Sequence, residues 1–142
     1  MRVIAGLLAA VVICADPPGA SAQSSNAARY LLEQELSAAC TGIDGRARLD
    51  GGLVERDLDG DGRQDLLISH EGIVCGQTRR SGFCGAQVCS VKIWLRRGDL
   101  LELETEFLGG GITVGTGARP TISGFGQGGK GWTTRWDGTA FR

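Results

Sequence analysis

A short acidic segment, residues 57–65, restricts the fold more than any other part of the chain. Aspartates stand at positions 57, 59, 61 and 65, and glycines stand at positions 60 and 62. The flanking residues 53–57 and 66–70 have the length and apolar content of β-strands. Four carboxylates this close together repel one another unless a cation offsets their charge. The sequence therefore predicts a tight loop between two strands that gathers oxygen atoms around one ion.

The spacing of these oxygens is typical of calcium ligation. Ca²⁺ prefers six to eight oxygen ligands, and aspartates at alternating positions can turn inward around one ion. Gly62 permits the sharp bend that follows them. The predicted ligands are three inward-turned carboxylates, one backbone carbonyl and a closing carboxylate that binds directly or through water: Asp57, Asp59, Asp61, Arg63 and Asp65. An acidic turn without an ion is the alternative.

The loop also resembles known calcium loops. Ile68 occupies the position of the bidentate glutamate that an EF-hand requires, and the residues after the loop predict a strand instead of a helix. Residues 57–67 instead resemble the calcium loops of FG-GAP and VCBS-type repeats, in which D-x-D-x-D-G-x-x-D joins two β-strands. The chain holds a single copy, so this resemblance implies a calcium loop and does not imply a propeller.

A second resemblance is to a loose group of small exported bacterial proteins. Its members share the acidic loop, a Phe-Cys-Gly-x-x-x-Cys segment, which is residues 83–89 here, and a Trp-Asp-Gly turn, which is residues 136–138 here. This resemblance implies an exported compartment and a bound metal, and it implies no particular activity.

The N-terminus has the layout of a secretory signal peptide. Arg2 precedes an apolar run, residues 3–13, and Ala20-Ser21-Ala22 forms a small-residue cleavage site. The run is shorter than the roughly 18 apolar residues that a membrane span needs. Lipidation at Cys14 is the alternative, although the bulky Ile13 before it is unfavourable. We therefore predict a signal peptide over residues 1–22, and a periplasmic or secreted domain over residues 23–142 without a stable membrane anchor.

Four cysteines remain in that predicted domain, namely Cys40, Cys75, Cys84 and Cys89. An even number in a small exported domain favours two disulfides, which permit three pairings. We favour Cys40–Cys75 with Cys84–Cys89, because Gly85 lets the short second segment fold back. A zinc site is the alternative, but the spacing lacks paired C-x-x-C motifs.

The rest of the sequence predicts one helix and several short strands. Residues 27–39 have apolar residues at helical spacing, with Asn26 as the N-cap and residues 33–35 as the solvent-facing side. The 24 glycines favour short strands joined by tight turns. The further predicted strands are residues 46–49, 88–96, 100–108, 112–114, 121–123 and one containing Trp132, Thr134 and Trp136. We expect an α+β fold, mainly antiparallel β, with the N-terminal helix packed on a small, disulfide-braced sheet.

The functional expectation is a non-catalytic, calcium-binding exported domain with a structural or adaptor role in the cell envelope. A net charge of −1 gives no electrostatic attraction to nucleic acid. The expected partner is an envelope or secreted protein. His70, the single histidine, is expected to be structural or to lie at the surface. The three tryptophans are expected to pack in the core, with a sugar-stacking platform as the alternative.

Two other functions stay open. A proteinaceous inhibitor or ligand-binding module would use the braced loop 77–85 as its contact surface. A metal-assisted hydrolase would depend on Asp59, Asp61 and His70, although no recognisable motif marks a nucleophile.

Overall fold

The computed structural model describes residues 24–142 of the chain. The predicted signal peptide, residues 1–22, and the alternative lipidation site at Cys14 lie outside the described residues. No helix within residues 24–142 has the length and apolar character of a membrane span.

A single α-helix, α1 (Asn26–Ala39), begins the described part of the chain. Its N-cap is Ser25, whose Oγ accepts a hydrogen bond from the backbone N–H of Ala28 at 3.2 Å. The prediction of Asn26 as the N-cap is therefore wrong by one residue, because Asn26 is already helical and its side chain accepts a hydrogen bond from Arg29. The last helical residue is Ala39, as predicted, and Cys40 is the C-cap.

Nine strands form two antiparallel sheets in the described residues. The strands are β1 (Arg48–Leu49), β2 (Leu53–Arg56), β3 (Asp65–Ser69), β4 (Ile73–Cys75), β5 (Arg79–Arg80), β6 (Cys89–Arg97), β7 (Leu100–Val114), β8 (Ile122–Phe125) and β9 (Gly131–Thr134). The smaller sheet has the order β1-β4-β5, and the larger has the order β2-β3-β6-β7-β8-β9. The predicted α+β class with mainly antiparallel strands is confirmed.

The longest strand, β7, joins two segments that the sequence predicted as separate strands. Its first part pairs with β6 through the Gly98-Asp99 turn, and its last part pairs with β8. Three glycines, Gly109 to Gly111, form the bend between the two parts. A Cβ on Gly110 would lie 2.5 Å from the ring of Phe125, so this passage requires glycine.

The larger sheet has an apolar cluster on each side. The first cluster joins α1 and the smaller sheet to β3 and includes Ala28, Ala39, Leu66, Ile68, Ile73, Cys75 and Trp94. The second cluster covers the acidic loop and the last strands and includes Leu58, Leu67, Val91, Ile93, Leu95 and Ile122. Alternate residues of β3 enter opposite clusters, which explains why Leu66, Leu67 and Ile68 are all buried.

The two disulfides have the favoured pairing. Cys40 at the end of α1 is bonded to Cys75 in β4, and Cys84 is bonded to Cys89 at the start of β6. The predicted bracing is therefore confirmed. Because all four cysteines within residues 24–142 are bonded in pairs, none of them is left as a thiolate for the alternative zinc site.

The tryptophans do not share one surface. Trp94 is 5 % exposed within the first cluster, whereas Trp132 and Trp136 pack against the second. Trp132 meets the edge of Phe107, and Trp136 lies beyond β9 and pairs with Phe141. The expected packing role is confirmed, and a platform built from all three tryptophans is excluded.

Candidate metal centre

Three of the predicted ligands meet at the tip between β2 and β3. One carboxylate oxygen from each of Asp57, Asp59 and Asp61 lies within 4.8 Å of the other two. Two oxygens on opposite sides of an ion are about 4.8 Å apart when each metal–oxygen bond is about 2.4 Å long. The three oxygens are therefore close enough to share one metal ion.

The loop backbone holds the first of these carboxylates in place. Asp57 accepts hydrogen bonds from the N–H groups of Gly60 at 2.6 Å and Gly62 at 2.9 Å. Both glycines have positive φ angles, 84° and 83°, which turn their N–H groups back toward Asp57. Asp59 accepts a further hydrogen bond from the N–H of Asp61 at 3.1 Å. Each carboxylate oxygen has two lone pairs, so these bonds leave acceptor capacity for an ion.

Leu58 fixes the loop to the domain. Its side chain is fully buried in the second cluster, although it stands between two predicted ligands, Asp57 and Asp59. Burial of a leucine side chain contributes about 1.5–3 kcal/mol. The buried side chain of Leu58 therefore fixes the positions of its neighbours Asp57, which is half-buried, and Asp59, which is buried.

Asp65 lies behind the three-carboxylate group instead of within it. Its side chain is fully buried, and its two oxygens accept the backbone N–H groups of Leu58 at 2.7 Å, Asp59 at 3.3 Å and Arg96 at 2.7 Å. Burial raises the pKa of this carboxyl above its usual value, while the N–H donors of Arg96 and Leu58 oppose the rise. Asp65 thus ties the loop to β6, and its role as a metal ligand stays a prediction.

Two arginines offset part of the negative charge. Arg97 donates to Asp59 at 2.9 Å, and Arg63 donates to Asp61 at 2.9 Å. Burial alone would raise the pKa of Asp61, but the backbone N–H and guanidinium of Arg63 lower it. The hydrogen bond to Asp59 raises the pKa of Arg97. Arg119 adds a third guanidinium, whose Nε donates to the backbone carbonyl of Asp59 at 3.0 Å. The four carboxylates of residues 57–65 therefore exceed these three guanidiniums by one negative charge. The backbone carbonyl of Arg63 as a ligand stays a prediction.

A buried network of hydrogen-bonded side chains, which the sequence did not predict, lies beneath α1. Ring atom Nε2 of His70 lies 2.8 Å from Oε2 of Glu35, and Nδ1 lies 2.9 Å from Oγ of Ser81. The Ser81 oxygen accepts the N–H of Phe83 at 3.0 Å, and Lys92 donates to Glu35 at 2.9 Å. These directions are satisfied together when neutral His70 donates from Nε2 and accepts at Nδ1.

These hydrogen bonds correct the prediction that residues 33–35 form the solvent-facing side of the helix. Glu35 is only 9 % exposed because it turns inward to His70 and Lys92. His70 is fully buried, and burial lowers its pKa against the opposing pull of Glu35. Ser81 is 3 % exposed and is hydrogen-bonded on both sides. The geometry resembles a catalytic serine–histidine–acid arrangement, but the serine is enclosed, which supports the structural role predicted for His70.

No family model, curated protein sequence or solved structure matches the chain. The resemblance to FG-GAP and VCBS-type loops therefore stays an expectation that rests on the motif.

Proposed function

We propose that this chain is a non-catalytic, exported calcium-binding domain with a structural or adaptor role in the cell envelope. The supporting observation is the group of carboxylate oxygens from Asp57, Asp59 and Asp61 within 4.8 Å of one another. The loop is already shaped by its own backbone hydrogen bonds, so little reorganisation is needed for an ion to bind.

Calcium is the metal that suits these ligands. All candidate donors are oxygens, which hard cations prefer, and no thiolate or histidine nitrogen is present in the group. A cation would also offset the repulsion among these closely spaced carboxylates. Calcium would then join the ends of β2 and β3 and stabilise the hairpin between them.

The disulfides favour the proposed location. Bonds of this kind persist in oxidising compartments and are rare in the reducing cytosol. Extracellular calcium modules bind with a dissociation constant of about 10⁻⁴–10⁻³ M. At millimolar calcium outside the cell, such a site adds about 1 kcal/mol of stability.

A thermal melt tests the metal proposal. The full chain, exported and oxidised by the expression host, is compared in millimolar CaCl₂ and in EDTA. We expect calcium to raise the melting temperature by about 3–5 °C, from about 1 kcal/mol of added stability. Asp61→Asn keeps the hydrogen-bond acceptor for the Arg63 N–H but removes a charge, so its calcium response should be much smaller.

Asp44→Asn is the matched control. It makes the same change at an exposed aspartate outside the loop, and its calcium response should equal that of the wild type. The proposal fails if wild type and Asp61→Asn respond alike, or if neither responds.

A ligand-binding or inhibitory role is the second candidate. The loop 77–85 carries the exposed pair Arg79–Arg80, and the side chain of Phe83 is 42 % exposed beside the Cys84–Cys89 disulfide. An aromatic ring held on a disulfide-braced, basic loop would serve as the contact with an exported protein. Size-exclusion chromatography with purified exported hydrolases tests this role, and a stable complex abolished by Phe83→Ser would favour it over a purely structural function.

A further inference from the structure

The two disulfides of the domain have different surroundings. Cys75 belongs to the first apolar cluster and Cys40 packs against it, whereas neither Cys84 nor Cys89 belongs to a cluster. Cys89 is fully buried, and Cys84 is partly exposed at the start of the solvent-facing turn 85–87. A thiol in solution can therefore approach the second pair from the side of Cys84.

A guanidinium lies against the buried sulfur of this pair. Nη2 of Arg80 is 3.3 Å from Sγ of Cys89. Nη1 of Arg80 donates to the carbonyls of Gly85 at 2.8 Å and Ala86 at 3.3 Å, which holds the guanidinium in place. A disulfide sulfur is a weak acceptor, whereas a thiolate is a charged acceptor that a neighbouring arginine stabilises. The contact therefore stabilises the reduced form more than the disulfide.

The partly exposed sulfur has a partner that only its reduced form can use. Sγ of Cys84 lies 3.6 Å from the carbonyl oxygen of His70. A disulfide sulfur carries no hydrogen, but a thiol S–H can donate weakly to this oxygen. Sγ of Cys75 lies equally far from the carbonyl of Ala39, so the contact with the guanidinium is what distinguishes the two pairs. Stabilisation of the reduced form makes a disulfide easier to reduce.

The backbone keeps the two cysteines adjacent without the disulfide. The N–H of Gly85 donates to the carbonyl of Val88 at 2.8 Å, inside the segment 84–89. The N–H of Ser90 donates to the carbonyl of Phe83 at 2.9 Å, just outside it. Reduction therefore leaves the turn closed, and the bond can form again on oxidation.

We propose that Cys84–Cys89 is a redox-active disulfide that exchanges with a small-molecule thiol. The thiolate of that molecule attacks Sγ of Cys84, forms a mixed disulfide and releases Cys89 as a thiolate beside Arg80. A second thiolate attacks the small-molecule sulfur of the mixed disulfide, forms the small-molecule disulfide and releases Cys84. Two external thiols are thus oxidised, and the protein disulfide takes up their two electrons. Of the two protons that these thiols lose, one goes to Cys84 and the other to solvent.

A redox titration with glutathione tests the proposal. The full, oxidised chain is equilibrated in EDTA with mixtures of reduced and oxidised glutathione, quenched in acid and alkylated with N-ethylmaleimide. Mass spectrometry of the digested protein then shows which cysteines were reduced. We expect Cys84 and Cys89 to be labelled together at a [GSH]²/[GSSG] ratio at least about tenfold lower than Cys40 and Cys75, because a hydrogen bond to a charged group stabilises only the first reduced pair.

Arginine variants identify the cause of this difference. Arg80→Gln keeps a side-chain donor for the carbonyls of the turn but removes the charge, and it should raise the ratio needed to reduce Cys84–Cys89 about tenfold. Arg80→Lys keeps the charge and should show a smaller rise. Arg46→Gln makes the same change at an exposed arginine outside the turn and should leave the ratio unchanged.

The proposal is overturned if both disulfides are reduced at the same ratio, if Cys40–Cys75 is reduced first, or if Arg80→Gln and Arg46→Gln act alike. In samples quenched before equilibrium, glutathione should be attached mainly to Cys84, and attachment mainly to Cys89 would overturn the assignment of the attacked sulfur. The order of reduction needs no substitution, so it decides the question even if a variant misfolds.

Discussion

Replacement of Asp65 tests whether its carboxylate holds the acidic loop to the sheet in the absence of metal. In Asp65→Ala the buried N–H groups of Leu58 and Arg96 lose acceptors that lie 2.7 Å away, and the Asp59 N–H loses a weaker one at 3.3 Å. A hydrogen bond to a charged group contributes about 1.5–3 kcal/mol. The two short bonds alone therefore predict a loss of about 3–6 kcal/mol in the free energy of unfolding.

That loss is a large fraction of the roughly 5–15 kcal/mol that stabilises a typical domain. Asp65→Asn should cost less than Asp65→Ala. Asparagine keeps one oxygen acceptor, and it avoids the cost of burying a charge, which is the cause of the raised Asp65 pKa. The order of stability should be wild type, then asparagine, then alanine.

The assay is urea unfolding of each oxidised variant in EDTA, with Asp44→Ala as an exposed control. The control should change the unfolding free energy by no more than about 0.5 kcal/mol. A loss below about 1 kcal/mol for Asp65→Ala, or one that appears only with calcium, would refute the structural role and leave metal ligation as the main function of Asp65.

Two further predictions concern His70 and the disulfides. Burial lowers the pKa of His70 in the folded state below the value of 6.5 of an unfolded chain, so the unfolded state binds more protons. The free energy of unfolding in urea should therefore be highest above pH 6.5 and fall as the pH drops below it. A flat pH profile, together with an ordinary titration of the C2 proton of the single histidine, would contradict this. The Cys40–Cys75 bond spans 35 residues, and the Cys84–Cys89 bond spans 5. Replacement of both cysteines by alanine should lower the free energy of urea unfolding by about 4 kcal/mol for the first pair and by about 2 kcal/mol for the second. Equal losses would contradict the explanation from loop entropy.

Local patterns predicted the features that depend on residues near in sequence. The close approach of the Asp57, Asp59 and Asp61 carboxylates follows from their placement at every second position and from the adjacent glycines. The Gly98-Asp99 turn follows from the two strands that flank it. The disulfide pairing was favoured on the short span of the second bridge. In each case the decisive residues are close together, so the spacing carries most of the information.

Features that depend on distant partners could not be predicted in this way. Glu35 was placed on the solvent-facing side because helical periodicity records polarity, and its partners His70 and Lys92 are 35 and 57 positions away. The single histidine, at the end of the predicted strand 66–70, is the only indication of these buried hydrogen bonds in the sequence. The hydrogen bonds that fix Asp65 to the sheet could not be predicted for the same reason, since Arg96 is 31 positions away. The role of Asp65 as a closing ligand stays a prediction.

The glycine bend in β7 lets one strand pair with two different neighbours. Residues before the bend pair with β6, and residues after it pair with β8, whose neighbour is the edge strand β9. The rings of Phe125 and Trp132 fill the space where side chains at the bend would stand. A side chain introduced at the bend would therefore disturb the pairing of β7 with β8 and the C-terminal strands that follow, while the pairing of β3 with β6 would stay intact.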